Sequence, residues 1–185
     1  PRRTPDGKRV VRVNVTAPGT VVFTARPFRE VAAGDDPVLL PLAAEKTDMV
    51  AYHTKYGLRD VMTDRKAPKQ DTKRETLWLF PGTQLGVAEY LLALPPVCDP
   101  QRLRLEMVAN MPREKNGFTA VAMVNGKKVL TEKVAGFNTM QACSADLTRW
   151  AGRKVLLTVG IDTGRLFRHG HLIRPRITLR PPNAP

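Results

Sequence analysis

Serine occurs once in this chain, at Ser144, and cysteine twice, at Cys98 and Cys143. The lone serine sits in A-C-S-A-D, so there is no G-x-S-x-G nucleophile elbow, and no H-E-x-x-H, P-loop or dinucleotide fingerprint is present either. The histidines are His53, His169 and His171 alone, and the usual catalytic constellations are missing. β-Sandwich glycosidases and lyases need a set of carboxylates lining a cleft, and no run here resembles one. The expectation is a protein that is not an enzyme. Two cysteines do not make a disulfide framework, and neither lies in a C-x-x-C pair of the metal-binding type. Joined, they would close a loop of about 45 residues and contribute up to roughly 4 kcal/mol; left apart, they would pack as two small buried hydrophobes. The spacing leaves both arrangements open.

Long apolar runs are absent too. No stretch approaches the roughly 18 residues that a membrane-spanning helix needs, and the opening PRRTPDGKRV lacks the apolar core of a signal peptide, so no membrane span is expected. No internal repeat and no Gly/Ser linker divides the chain. With 185 residues and 42% of them apolar, the composition supports a single domain with a proper core. Residues 1–185 are therefore read as one unit, with a basic tail over 1–8 and a proline-rich tail over 181–185.

Acidic residues are in deficit: 30 Lys and Arg face 17 Asp and Glu, giving a net charge of +13 and a pI near 10.4. Such a surface favours anionic partners, among them nucleic acid, acidic or sulfated polysaccharide and anionic lipid. The excess is uneven. Arg2, Arg3, Lys8, Arg9 and Arg12 stand against Asp6 at the start, and Arg165, Arg168, Arg174, Arg176 and Arg180 against Asp162 at the end.

What is present is a series of short strands. Phe118 to Val124 runs into Asn125-Gly126 and then a second strand from Lys127, and Asn-Gly between two such runs signals a hairpin, because a type I′ turn needs positive φ at both central residues. Apolar side chains on both faces of the first run place it centrally. Asp146-Leu147-Thr148 starts a short helical turn that Gly152 ends, after which Val155, Leu157, Val159 and Ile161 share one face of a strand. Further strands are expected at Thr76 to Phe80, Gly86 to Leu94, Arg102 to Ala109 and Arg174 to Arg180, with Leu103, Leu105 and Met107 alternating against Arg102, Arg104 and Glu106 where one face meets water. Earlier in the chain, Val11, Val13 and Val15 alternate as a half-buried strand with Thr20 to Ala25 as its partner, and Val38-Leu39-Leu40 suits an edge strand. Tyr52 to Gly57 and Thr63 to Glu75 read as loops. No segment keeps a helical period. Strands this short, spaced by Pro and Gly, predict an all-β, two-sheet antiparallel jelly-roll β-sandwich.

The order F-x-x-V-x-x-V-N-G-K-x-V, then D-L-T-x-W-A-G-R-x-V-x-L, then R-P-R-I resembles the galactose-binding-like β-sandwich modules that include carbohydrate-binding modules. Leu77 to Gly82, Ala88-Glu89-Tyr90 and Leu92 to Pro95 are similar to that family's early strands, so the resemblance covers residues 76 to 180. It implies a non-catalytic module that recognises a glycan or extracellular polymer, located outside the cell or at its surface, and it admits a structural calcium ion as the one cofactor. Members often carry an Asp and then a Trp just before the last strand. This chain has Arg168-His169-Gly170-His171-Leu172 there, which turns an acidic or aromatic corner cationic.

The candidate ligand-binding residues follow from that substitution. His169 and His171, two apart, would face one side of a strand and could join His53 around a metal, but Arg165, Arg168 and Arg174 beside them disfavour a cation. An anion suits the cluster, since Arg presents a planar fork matched to carboxylate or sulfate. The stretch Arg165 to Arg174 is expected as a loop at the sheet edge, joined by Tyr52, His53 and Tyr56 from the aromatic loop. Trp78 and Trp150 are the candidate sugar-stacking platforms, but their sequence settings favour the core for both. The partner is thus an acidic glycan or polysaccharide. The alternative is a structural or self-assembling jelly roll contacting nucleic acid through its basic arm; nucleic acid is the less favoured partner, because no binding motif is present and 6% aromatic content limits base stacking.

Overall fold

A computed structural model describes residues 2–3, 9–10, 28–32, 37–43, 51–54, 57–60, 70–71, 75–82, 85–111, 117–136, 138–164 and 168–181 of the chain. They form β1 (Arg2–Arg3), β2 (Arg9–Val10), β3 (Arg29–Glu30), β4 (Val38–Pro41), β5 (Ala51–Thr54), β6 (Gly57–Asp60), β7 (Gln70–Asp71), β8 (Thr76–Gly82), β9 (Leu85–Ala93), β10 (Arg102–Met111), β11 (Phe118–Val124), β12 (Lys127–Val134), β13 (Thr139–Asp146), β14 (Lys154–Asp162) and β15 (Arg168–Arg180). One 3-10 turn, Thr148–Trp150, precedes β14. Among the described residues no helix is long and apolar enough to cross a membrane.

Two sheets carry the domain. The first runs β13-β10-β15-β8-β7 with β4 also on β15, and the second runs β12-β11-β14-β9-β5-β6 with β3 on β9. Successive long strands change sheet at almost every connection: β8 to β9, β9 to β10, β10 to β11, β12 to β13, β13 to β14 and β14 to β15 all cross. This is the expected two-sheet jelly-roll sandwich. Among the described residues the pairings are antiparallel except that of Arg29–Glu30 with β9, which is parallel.

Alternation explains the core. Leu103, Leu105, Met107 and Ala109 point inward from β10, and Val155, Leu157, Val159 and Ile161 from β14, all 4% exposed or less. Each fully buried leucine contributes about 1.5–3 kcal/mol relative to an exposed one. The hairpin forms as expected, with Asn125 at φ 51° and Gly126 at φ 78°. Asn125 also fastens the turn to the next strand, because its Oδ1 accepts a 2.8 Å bond from the Leu156 N–H. β11 lies between β12 and β14, the central position its two apolar faces implied. Trp150 is buried as expected, and Cys98 and Cys143 are both free thiols, the first exposed and the second buried. Burial pushes the Cys143 thiol above its ordinary pKa.

Several expectations need correction. The aromatic stretch is not simply a loop: Ala51–Thr54 and Gly57–Asp60 pair as the β5–β6 hairpin. Gln70–Asp71, inside the expected surface loop, pairs with β8. Trp78 is not in the sandwich core; Leu77 and Leu79 face inward and Trp78 stands half-buried on the outer face. The last strand starts at Arg168 rather than Arg174, and it lies between β10 and the β8/β4 side rather than at a sheet edge. Gly170 reads as a loop residue yet is an inward strand position: a Cβ there would sit 2.8 Å from Ile161 Cδ1 and Phe118 Cε1, so a larger residue would displace those side chains. The strand pair expected at Val11 to Ala25 lies outside the described residues.

Candidate functional site

The outer face of the first sheet is ordered into rows by strand register. Met140, Asn110, His171 and Trp78 form one row across β13, β10, β15 and β8. Ala142, Val108, Ile173 and Thr76 form the next. Beyond it come Ser144, Glu106 and Arg176, and then Asp146, Arg104 and Thr178. The face thus grades from an aromatic and polar row, through an apolar one, into charge.

A bulge makes this arrangement. Glu106 pairs with Arg176 but Val108 pairs with Ile173, so Arg174 and Pro175 together oppose Met107. Arg174 takes φ 48°, the left-handed region used by the G1 type of bulge, and Pro175 is tolerated where no ladder donor is needed. The Arg174 N–H donates to the Glu75 carbonyl at 2.8 Å, and the Pro175 carbonyl accepts from the Leu42 N–H at 2.8 Å. At this point the neighbour of β15 changes from β8 to β4.

Beside the bulge lies an open groove of about 340 Å³ lined by Arg104, Arg174, Arg176 and Arg180, with Glu106 as its acid and Val108 and Ile173 among its apolar lining. Arg180 grips Glu106 in a bidentate pair, Nε to Oε1 and Nη2 to Oε2, both 3.0 Å, and Arg176 Nη2 reaches Oε2 at 3.5 Å. Those Arg180 bonds hold the Glu106 carboxyl below its ordinary value of 4.5 against the opposing effect of burial. Glu106 is therefore a fixed anion that orients two guanidinium groups. Arg104 Nη2 donates to Ser144 Oγ at 2.6 Å, and Arg174 is exposed. At the far end Trp78 stacks on His171, centroids 4.4 Å apart and planes 28° apart.

The residues expected from sequence are distributed as follows. His171 and Arg174 both stand on this strand, the first in the aromatic row and the second at the bulge. Arg168 pairs with Gly82 at the start of β15, and His169 follows it in the same strand. Tyr52 and His53 belong to β5 of the other sheet, where Tyr52 pairs with Arg59 and Ala88. Tyr56 and Arg165 lie outside the described residues. Arg104, Arg176, Arg180 and Glu106 were missed, and Trp78, expected in the core, stands outward. The alternation Arg102-Leu103-Arg104-Leu105-Glu106 did signal an outward charged face, but not which strand it would meet.

Among the described residues no group of three or more His, Cys, Asp or Glu side chains stands close enough to hold a metal ion. The arrangement suits planar anions, because four arginines line one open, partly apolar surface against a single acid.

No protein-family model matches the sequence, and no curated protein does. Among solved structures, one similar chain is CBM35 from Cellvibrio japonicus Abf62, at 12% identity and a TM-score of 0.34, covering 60% of this chain and 99% of that one.

Proposed function

We propose that this chain is a non-catalytic module that binds an anionic polymer, a glycan bearing carboxylate or sulfate groups, on the outer face of β10, β13 and β15. The observation that carries the reading is that Arg104, Arg174, Arg176 and Arg180 line one groove together with Val108 and Ile173. Arginine pairs with carboxylate and sulfate through two parallel N–H bonds, and the apolar lining accepts the C–H face of a sugar ring. A binding role agrees with the chemistry of the groove. Glycoside hydrolysis in most families takes a pair of carboxyl groups, whereas Glu106 is the groove's one acid and is bonded to Arg180 and Arg176. The Ser144 hydroxyl is held by Arg104 rather than by a base. A setting outside the cell or at its surface belongs to the same proposal.

The test is retention on an immobilised acidic polysaccharide, a neutral one and duplex DNA, each at two salt concentrations. The acidic polysaccharide should be retained at low salt and the neutral one should not. A variant carrying Arg104→Ala and Arg176→Ala should bind several-fold more weakly, each exposed contact being worth about 0.5–1 kcal/mol. No retention on any polyanion at low salt, or unchanged binding by the variant, would favour the structural reading. DNA held more tightly than the polysaccharide would move the assignment to nucleic acid.

A further inference from the structure

A second groove, of about 430 Å³, opens where the edge strands β12 and β13 of the two sheets come side by side. Lys127 and Lys128 wall it from β12, and Asp146, Arg149 and Trp150 from the segment that leaves β13. Arg149 lies over the Trp150 indole, its guanidinium carbon 3.7 Å from the ring centroid. That stacking fixes the plane of the guanidinium while its edge stays exposed, which is the form in which arginine receives an anion. The Asp146 carboxylate is engaged, since Oδ1 accepts the Thr148 N–H at 2.7 Å.

The two grooves are one register step apart. Asp146 of the second pairs with Arg104 of the first across β13 and β10, and Arg104 already bonds Ser144 between them. Four arginines against one acid in the first groove continue into three cations against one acid in the second. Both grooves are open rather than closed around a ligand end.

From these contacts we infer that the two grooves are subsites of a single track crossing the β13 edge, and that its ligand is a linear polyanion long enough to occupy both. The inference rests on the anionic-polymer reading and specifies its ligand. Two strand spacings separate β15 from β13, about 10 Å, and crossing from one sheet to the other adds about 10 Å, so the track is about 20 Å long. A chain reaching both ends binds the second subsite intramolecularly, at a high effective concentration; a shorter one cannot.

The experiment is calorimetric titration with heparin-derived oligosaccharides graded from disaccharide to dodecasaccharide. Affinity should climb steeply once fragments exceed about 20 Å. The variant Lys127→Gln, Lys128→Gln should bind the shortest fragments as the parent does and lose roughly tenfold on the longest, a loss within the range that linked subsites supply. Adding Arg149→Gln should deepen the loss, and the lysine pair alone keeps the test valid if uncovering Trp150 harms folding. Length-independent binding by the parent, or an equal loss at every length in the variant, overturns the track and leaves the first groove standing. Absence of binding at every length overturns the anionic-polymer reading and the track with it.

Discussion

Replacing Glu106 with Gln should lower stability and raise affinity for polyanions at once, and the opposition in sign is what makes the change informative. Glu106 is 18% exposed at its side chain and accepts two 3.0 Å bonds from Arg180, with Arg176 at 3.5 Å. Hydrogen bonds to charged groups contribute about 1.5–3 kcal/mol. Gln keeps one acceptor and turns an amide donor toward the guanidinium, so a loss of about 1–2 kcal/mol is expected at neutral pH. For a domain of this size that corresponds to about 3–6 °C in Tm.

The pH dependence has a definite sign. The Arg180 bonds depress the Glu106 pKa in the folded state, so its stabilisation is complete above the ordinary value of 4.5 and disappears as pH falls through the depressed value. Thermal unfolding followed by circular dichroism should therefore separate parent and variant at pH 7 and bring them together in acid. Meanwhile the variant has lost the acid of the first groove and released Arg176 and Arg180, so binding to an acidic polysaccharide should tighten by a few-fold, on the order of 0.5–1 kcal/mol. Binding that weakens along with stability would show that Glu106 mainly aims the arginines at ligand. A Tm unchanged at pH 7 would refute the bidentate pair itself.

Gly126→Val should cost about 2 kcal/mol in urea unfolding while Gly126→Asn stays within about 1 kcal/mol, because a Cβ there meets nothing within 4 Å and the cost is that of positive φ alone; equal losses would mean a steric origin. One thiol, Cys98, should react promptly with a thiol reagent in the native protein, and the second, Cys143, only on unfolding; a protein that shows no reactive thiol without reductant would contradict the free pair.

The parts of this fold legible in the sequence are those governed by neighbours in the chain. The Asn125-Gly126 turn, the buried stripe Val155 to Ile161 and the half-wet alternation of β10 each follow from local periodicity and turn chemistry. What was not legible depends on partners distant in sequence. Glu106 and Arg180 are 74 residues apart, and nothing near either one announces the other. Trp78 alternates with two leucines in a strand whose two faces cannot be told apart until β15 is laid beside it, and only then does His171 cover one side of the indole. The misreading of Arg168 to Arg174 as a loop has the same origin, since Gly170 is a strand residue through its pairing with Leu79 of β8, far away in the sequence.

The bulge at Arg174 and Pro175 shows how a single residue converts charge in the sequence into a charged face. In the C-terminal half of β15 the outward side chains are Arg176, Thr178 and Arg180, and the inward one opposite Leu105 is Ile177. In the N-terminal half the outward ones are His171 and Ile173, with Leu172 inward. Side chains alternate with a period of two, so an unbroken strand that kept His171 and Ile173 outside would also turn Pro175, Ile177 and Leu179 outward and drive Arg176 and Arg180 into the core. Two guanidinium groups buried without partners cost far more than the backbone strain of one arginine at positive φ, which is about 1–2 kcal/mol. The extra residue therefore relieves the core and, by the same shift, brings Arg176 and Arg180 onto the face that already carries Arg104. The cation at the bulge itself adds to them, because the backbone conformation that resets the register leaves the Arg174 side chain exposed at the rim of the groove.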